Sequence, residues 1–202
     1  FNGDVQISVS VTDGEYTDNT VFTLIVIPVN DDPTIDLPGS FTFAEDDDLT
    51  EDFSGYLSDI DGDELTLTVS GNNSVTVDII GFEVTFGAVA DWHGTEILTF
   101  TVDDAQGRAI ASDDVDIIVA PVNDSPELEV IPDTSTEEDT PLVLLLEATD
   151  VDEDVLSYSA TSEQPSNVSA EVTGDTLTMT PAPDFNGDVQ ISVSVTDGEY
   201  TD

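Results

Sequence analysis

The sequence predicts an all-β chain of antiparallel two-sheet sandwiches strung in a linear array, and three observations carry that expectation. Apolar and polar residues alternate with a period of two. In "VQISVSV", Val5, Ile7, Val9 and Val11 share one face and Gln6, Ser8 and Ser10 the other, the pattern of a half-buried strand. Gly, Asn and Asp punctuate these runs, and no useful helical period intervenes. The chain also repeats itself: "FNGDVQISVSVTDGEYTD" stands at Phe1–Asp18 and again at Phe185–Asp202, an identity too long for chance.

A weaker echo halves that period. "DWHGTEILTFTVDDAQGRA" at Asp91–Ala109 has the layout of "DFNGDVQISVSVTDGEYTD", which makes Phe1, Trp92 and Phe185 equivalent at spacings of 91 and 93 residues. That is the period of a domain rather than of a solenoid turn. "PVNDDP" at Pro28–Pro33 returns as "PVNDSP" at Pro121–Pro126, and "DIDGDEL" at Asp59–Leu65 returns as "DVDEDVL" at Asp150–Leu156. The middle repeat reads as short strands in order: "TIDL", "FTFA", "LTLTV", "SVTVDI", "EVTF", "ILTFTV" and "VDIIV". Seven or so strands in about 90 residues, parted by turn signals, suit a two-sheet sandwich. The Pro-bracketed links then divide the sequence into a partial repeat 1–29 holding two closing strands, a complete repeat 30–122, and a repeat 123–202 lacking its final strand. It reads as a window on a longer array.

Composition narrows the function. Forty-six acidic residues face one basic residue, Arg108, for a formal charge of -45, which excludes nucleic acid and anionic membrane as default partners and points to cations. With 38% hydrophobic residues in alternating runs, the chain can still bury a core. There is no cysteine, so neither a disulfide nor a thiolate metal site is available to stabilise domains of this size. The longest apolar runs, "VFTLIVIPV" and "LVLLL", are too short to span a bilayer, and no signal peptide is visible, so no membrane insertion of this segment is expected.

Two accounts compete for the acidity: a solvated surface adapted to salt, or ligation of metal at particular loops. In the middle repeat the acids gather at Asp31-Asp32, Glu45–Asp48, Glu51-Asp52, Asp59–Glu64, Asp103-Asp104 and Asp113-Asp114, while outward strand positions are mostly Ser and Thr. Loop clustering favours ligation. Hard oxygen donors with no Cys and a single His suit calcium rather than zinc or copper. Asp59, Asp61 and Asp63 alternate as carboxylates do at the start of calcium loops, although the helix–loop–helix signature is absent. The Asp-x-Asp pair recurs at Asp150 and Asp152, each time 27 to 29 residues after an Asn-Asp link.

The combination of Asn-Asp-x-Pro links, an early "EDDDL" or "EDTPL", an Asp-x-Asp loop and a late "DFNG…VTDG" resembles the cadherin-like tandem repeats of large bacterial surface proteins and adhesins. The resemblance covers the whole sequence. It implies Ig- or cadherin-like sandwiches with calcium at the junctions of successive domains. Carried over by position, it implies ligands Asn123, Asp124, Asp150 and Asp152, with Asp91 and Glu45 from the preceding repeat, at one junction. At the other it implies Asn30, Asp31, Asp59 and Asp61, with Asn2 as the preceding candidate. The chain departs from the animal cadherin pattern at Pro28 and Pro121, where an acid is usual, and at Asn2, His93 and Asn186, which are poor ligands; fewer ions per junction are implied.

No catalytic arrangement is legible: one His, no Cys, and carboxylate pairs so abundant that none is singled out. His93 reads as a turn residue, Trp92 as a core aromatic, and the acceptor patterns at Asn72 and Asn167 as short enough to arise by chance. The expected function is therefore non-enzymatic: a calcium-rigidified structural or adhesive repeat forming a stalk or filament on a bacterial cell surface. Its expected partners are calcium, neighbouring repeats of the same chain, and like molecules or surface glycans. The alternative is a carbohydrate-binding accessory module of a secreted polysaccharide-degrading enzyme, for which an exposed aromatic in every repeat would speak. A third, salt-adapted reading predicts that potassium replaces calcium fully.

Overall fold

A computed structural model describes residues 2–107 and 110–202. Phe1, read above as the equivalent of Trp92, and Arg108, the lone basic residue, lie outside the described residues. The chain separates into two compact units, Phe1–Ala120 and Pro121–Asp202.

The first unit opens on a hairpin, β1 (Gly3–Thr12) and β2 (Thr17–Val26), in continuous antiparallel register from Gly3↔Val26 to Thr12↔Thr17. Among the described residues the two strands pair with each other alone, and neither contributes to a buried core. The sandwich follows in order: β3 (Thr34–Ile35), β4 (Ser40–Ala44), β5 (Leu49–Asp52), a 3-10 turn over Phe53–Tyr56, β6 (Leu57–Ser58), β7 (Thr66–Ser70), β8 (Val75–Ile80), β9 (Glu83–Ala88), β10 (Gly94–Asp103) and β11 (Ile110–Ala120). One sheet runs β4-β11-β10-β7, the other β5-β9-β8, with β3 and β6 paired beside them. All seven strands read from the alternation are present. β5 and β6 were not legible, because "LTED" and "LS" are too short to show a period. One pairing departs from the antiparallel expectation: β4 runs parallel to β11, from Ser40↔Asp116 to Ala44↔Ala120.

The alternation of β10 and β11 places Leu98, Phe100, Val102, Val115, Ile117 and Val119 inside, all at 2% exposure or less. Phe53 and Phe100 meet at 4.9 Å between ring centroids, and Phe41 stacks on Phe53 and Phe86 at 5.6 Å. Each such ring contributes about 1.5–3 kcal/mol by leaving water, which replaces the missing disulfide as the source of stability. Asp52 starts the 3-10 turn by accepting the Ser54 amide at 2.9 Å. Glu96 accepts the amides of Asn73, Ser74 and Val75 at 2.9, 2.7 and 3.2 Å and so ties the turn between β7 and β8 to β10. Partial burial pushes the Glu96 carboxyl upward, but the three amides outweigh it and hold it below the usual range.

The second unit contains β12 (Glu127–Leu128), β13 (Leu142–Leu145), β14 (Ala148–Thr149), β15 (Ser157–Ser162), β16 (Val168–Thr173), β17 (Thr176–Pro181) and β18 (Ile191–Thr196). Its sheets are β13-β17-β16, β15-β18 and β12-β14. The core is smaller: Leu146, Leu177 and Met179, with Leu142, Leu144, Tyr158, Ile191 and Val193 against them. Among the described residues no helix is long and apolar enough to cross a membrane.

Candidate metal centre

In the first unit the acids converge at the end of the sandwich where the chain enters from β2. The Asp59 Oδ1 accepts the amides of Asp61, Gly62 and Asp63 at 2.9, 2.7 and 3.2 Å, which folds "DGD" into a tight loop. Gly62 occupies the left-handed region there, at φ 77°. The loop brings carboxylate oxygens of Asp59, Asp61 and Asp63 within 4.8 Å of one another. The link folds onto it: the Asp31 amide donates to Asp61 Oδ2 at 2.7 Å, and Asn30 Nδ2 donates to Asp104 Oδ2 at 2.8 Å. Asp104 lies just beyond β10 at 1% exposure, and its other oxygen accepts the Gln106 amide at 2.9 Å. Asn30 and that amide hold Asp104 below the usual carboxylate range. Asp63 shifts the other way, raised by burial and then by the negative charges of Asp59, Asp104 and Asp61.

The second unit repeats the device. Asp150, Asp152 and Asp154 again place oxygens within 4.8 Å of one another. The Asp124 amide donates to Asp152 Oδ2 at 2.7 Å, and Asn123 Nδ2 donates to Asp197 Oδ2 at 2.9 Å. Asp197 Oδ1 accepts the amides of Glu199 and Tyr200 at 2.6 and 2.7 Å. Burial raises Asp197, but Asn123 and the two amides bring it below the usual range. Glu153 holds the place of Gly62 with φ 60°, and Ala105 holds the place of Gly198 with φ 59° against 106°.

Both clusters fit a hard divalent cation. Two oxygens on one calcium ion, each at about 2.3–2.6 Å, lie at most about 5 Å apart, and each triplet satisfies that. The second oxygens of Asp59 and Asp150 are buried without a hydrogen-bond partner. An unpaired buried carboxylate oxygen is costly, and a cation is the partner that removes the cost.

Of the residues implied by the resemblance, the structure therefore gathers Asn30, Asp31, Asp59 and Asp61 in one unit and Asn123, Asp124, Asp150 and Asp152 in the other. Glu45 and Asp91 stand at the opposite end of the first sandwich. The Glu45 amide donates to Ala120 O at 2.9 Å, and Asp91 precedes β10, whose far end carries Asp104. Glu45 is 2% exposed; Asp91 is exposed with φ 58°. Reading the sequence placed Asp63 in the alternating Asp59–Asp61–Asp63 run but not in the implied ligand set, and it missed Asp154 as a member of the second triplet and Asp104 and Asp197 as anchors of the link. The signal for the last pair was present: "VDDAQG" and "VTDGEY" recur at the repeat spacing. Trp92 is half-buried against the core, as read, and His93, read as a turn residue, is exposed in the irregular stretch immediately before β10.

Comparison with known proteins follows the same division. Residues 122–202 match the family model of a cadherin-like domain, and residues 30–118 match that of a bacterial Ig domain. Among solved structures, the chain is similar to human protocadherin-24 EC1-2 in its form II, with 17% identity over 82% of this chain and 87% of that one at a TM-score of 0.56. Mouse protocadherin-24 EC1-3 gives 17% identity over 97% and 74% at 0.53. An endo-fucoidan hydrolase from glycoside hydrolase family 107 aligns at 17% identity with a TM-score of 0.42; the chain spans 33% of its length. Curated proteins give no match. The protocadherin likenesses show the fold, and the two family matches follow one another along the chain: residues 30–118 are similar to a bacterial Ig domain and residues 122–202 to a cadherin-like domain.

Proposed function

We propose that the chain is a calcium-rigidified structural or adhesive repeat module, part of a stalk or filament on a bacterial cell surface. The observation that carries this reading is the fold-back of each link onto an acid triplet: Asn30 and Asp31 in one unit, Asn123 and Asp124 in the other, with the same two kinds of contact in each. An ion bound by Asp59, Asp61 and Asp63, or by Asp150, Asp152 and Asp154, neutralises the repulsion under the link and holds the link in one conformation. Asp104 and Asp197 brace the link from the far side. Glu45 and Asp91 are proposed ligands on the strength of the resemblance alone. Extracellular placement and a bacterial source accord with the kinds of domain matched.

Isothermal calorimetry with calcium, against sodium or potassium at equal ionic strength, tests the reading. Affinity on the order of 10⁻⁶ to 10⁻³ M is expected, with Asp59→Asn/Asp61→Asn and Asp150→Asn/Asp152→Asn each removing one unit's share. X-ray scattering is expected to broaden on chelation while circular dichroism stays β-rich. Equal stabilisation by calcium and potassium would establish the salt-adapted account instead.

A further inference from the structure

We infer that the outer edge of β7, with the same edge of β15 in the second unit, is where two copies of this chain join, strand against strand and antiparallel. β7 is the terminal strand of the sheet β4-β11-β10-β7. Since β11 and β4 lie on the far side of β10, the edge at β7 is the natural limit of that sheet. β7 pairs with β10 from Thr66↔Asp103 to Ser70↔Thr99, and its alternate amides and carbonyls point the other way, with no strand beyond them among the described residues. β15 begins 91 residues further on, pairs with β18 from Ser157↔Thr196 to Ser162↔Ile191, and holds the corresponding edge. A free edge is normally blunted by charge, by proline or by extreme shortness. β5 carries Glu51 and Asp52, β8 carries Asp78, and β4 runs between Pro38 and the acids Glu45–Asp48. β7 and β15 contain no charge at all.

Charge and register identify the occupant as a second copy. Chains of net charge -45 repel one another over most of their surface, whereas "TLTVS" and "SYSATS" present only Thr66, Thr68 and Ser70, or Ser157, Ser159 and Thr161, as their exposed side chains. β7 is also its own complement. With a two-fold axis at Thr68, Thr66 faces Ser70 of the other copy and Leu67 faces Val69, so hydroxyls meet on the outer face and apolar side chains on the inner one. Beyond the strand, Glu64 then faces Asn72 and Asp63 faces Asn73, which lays each acidic entry against a neutral amide turn. A parallel match would set Glu64 against Glu64. β15 has the same symmetry about Ser159: Ser157 faces Thr161, Tyr158 faces Ala160, and Asp154 faces Gln164. Five or six paired residues bury little area, so a single joint is weak, and each chain carries two such edges. This association lies outside the links and goes beyond the calcium reading.

Sedimentation equilibrium of the 202-residue chain from micromolar to sub-millimolar concentration, at about 0.15 M salt to screen the general repulsion, tests this. Concentration-dependent association is expected, together with slower amide exchange in β7 as concentration rises. Thr68→Glu/Ser159→Glu places like charges at each axis and is expected to weaken association at least ~tenfold, and Thr68→Lys/Ser159→Lys to do the same. Both positions are exposed, and thermal melts check that both variants fold. An equimolar mixture of the two variants is expected to associate again, because Glu then meets Lys. Thr95→Glu, the same charge change at an exposed position of β10, is expected to behave as wild type. A wild-type chain that stays monomeric throughout, either variant associating as strongly as wild type, or a mixture no tighter than its components would each overturn the inference.

Discussion

Residues 2–18 and 186–202 are the same seventeen amino acids in two settings, and they fold alike in one part and differently in another. The turn is common to both. Asp13 Oδ1 accepts the amides of Glu15 and Tyr16 at 2.9 and 2.7 Å, Asp197 does the same for Glu199 and Tyr200, and Thr12 or Thr196 accepts the following glycine amide at 3.1 Å. The strand before the turn is not common. It runs ten residues as β1 against β2, but six residues as β18 against β15. Val11 is 69% exposed and its copy Val195 is 0% exposed. Contacts within three residues travel with the sequence, whereas strand length and burial are supplied by whatever lies alongside.

Amide hydrogen exchange gives the largest test of that difference. The amides of β18 are expected to exchange at least roughly a hundredfold more slowly than those of β1, since β18 opens with its unit and β1 only with a marginal hairpin. Equal protection would mean that the hairpin is covered in solution. Paired substitutions come next. Val195→Ala is expected to destabilise the second unit by about 2 kcal/mol in urea denaturation, and Val11→Ala, the same change in the same local sequence, by less than about 0.5 kcal/mol.

Asp13 and Asp197 separate local from tertiary roles. Both carboxyls are held below 3.8: Asp13 chiefly by the Tyr16 and Glu15 amides, Asp197 by Asn123 and its amides against an opposing push from burial. A depressed carboxylate stabilises the loop fully above 3.8 and loses that contribution as pH falls through the lowered value. NMR titration is expected to show the Tyr16 and Tyr200 amides responding together. Calcium binding divides them: Asp197→Ala is expected to weaken the second unit's affinity by roughly tenfold or more, and Asp13→Ala to leave it unchanged.

The smallest effect concerns the backbone. Ala105 stands where both copies of the repeated turn have glycine, and Glu153 stands where the first unit has Gly62, each with positive φ. Ala105→Gly and Glu153→Gly are each expected to raise the melting stability of their unit by about 0.5–1 kcal/mol, the left-handed penalty less the entropy that glycine adds to the unfolded chain. No gain would indicate that the loops relax around the side chain.

The sequence by itself determined the β class, the seven principal strands of residues 30–122, the domain period and the loops that hold acid, because alternation, turn residues and repetition are local signals. It also exposed the Asp-x-Asp loops, whose geometry is made by Asp59 accepting amides two to four residues on. It did not determine that Asp104 and Asp197 anchor the links, since Asn30 and Asp104, like Asn123 and Asp197, lie 74 residues apart in sequence and meet only when the sandwich closes. Nor did it determine the parallel pairing of β4 with β11, or that one repeated phrase ends as a long, mostly exposed strand and as a short, half-buried one. Those outcomes depend on which edge and which apolar face the rest of the chain presents, and hydrogen-bond partners and burial exist only in the assembled fold.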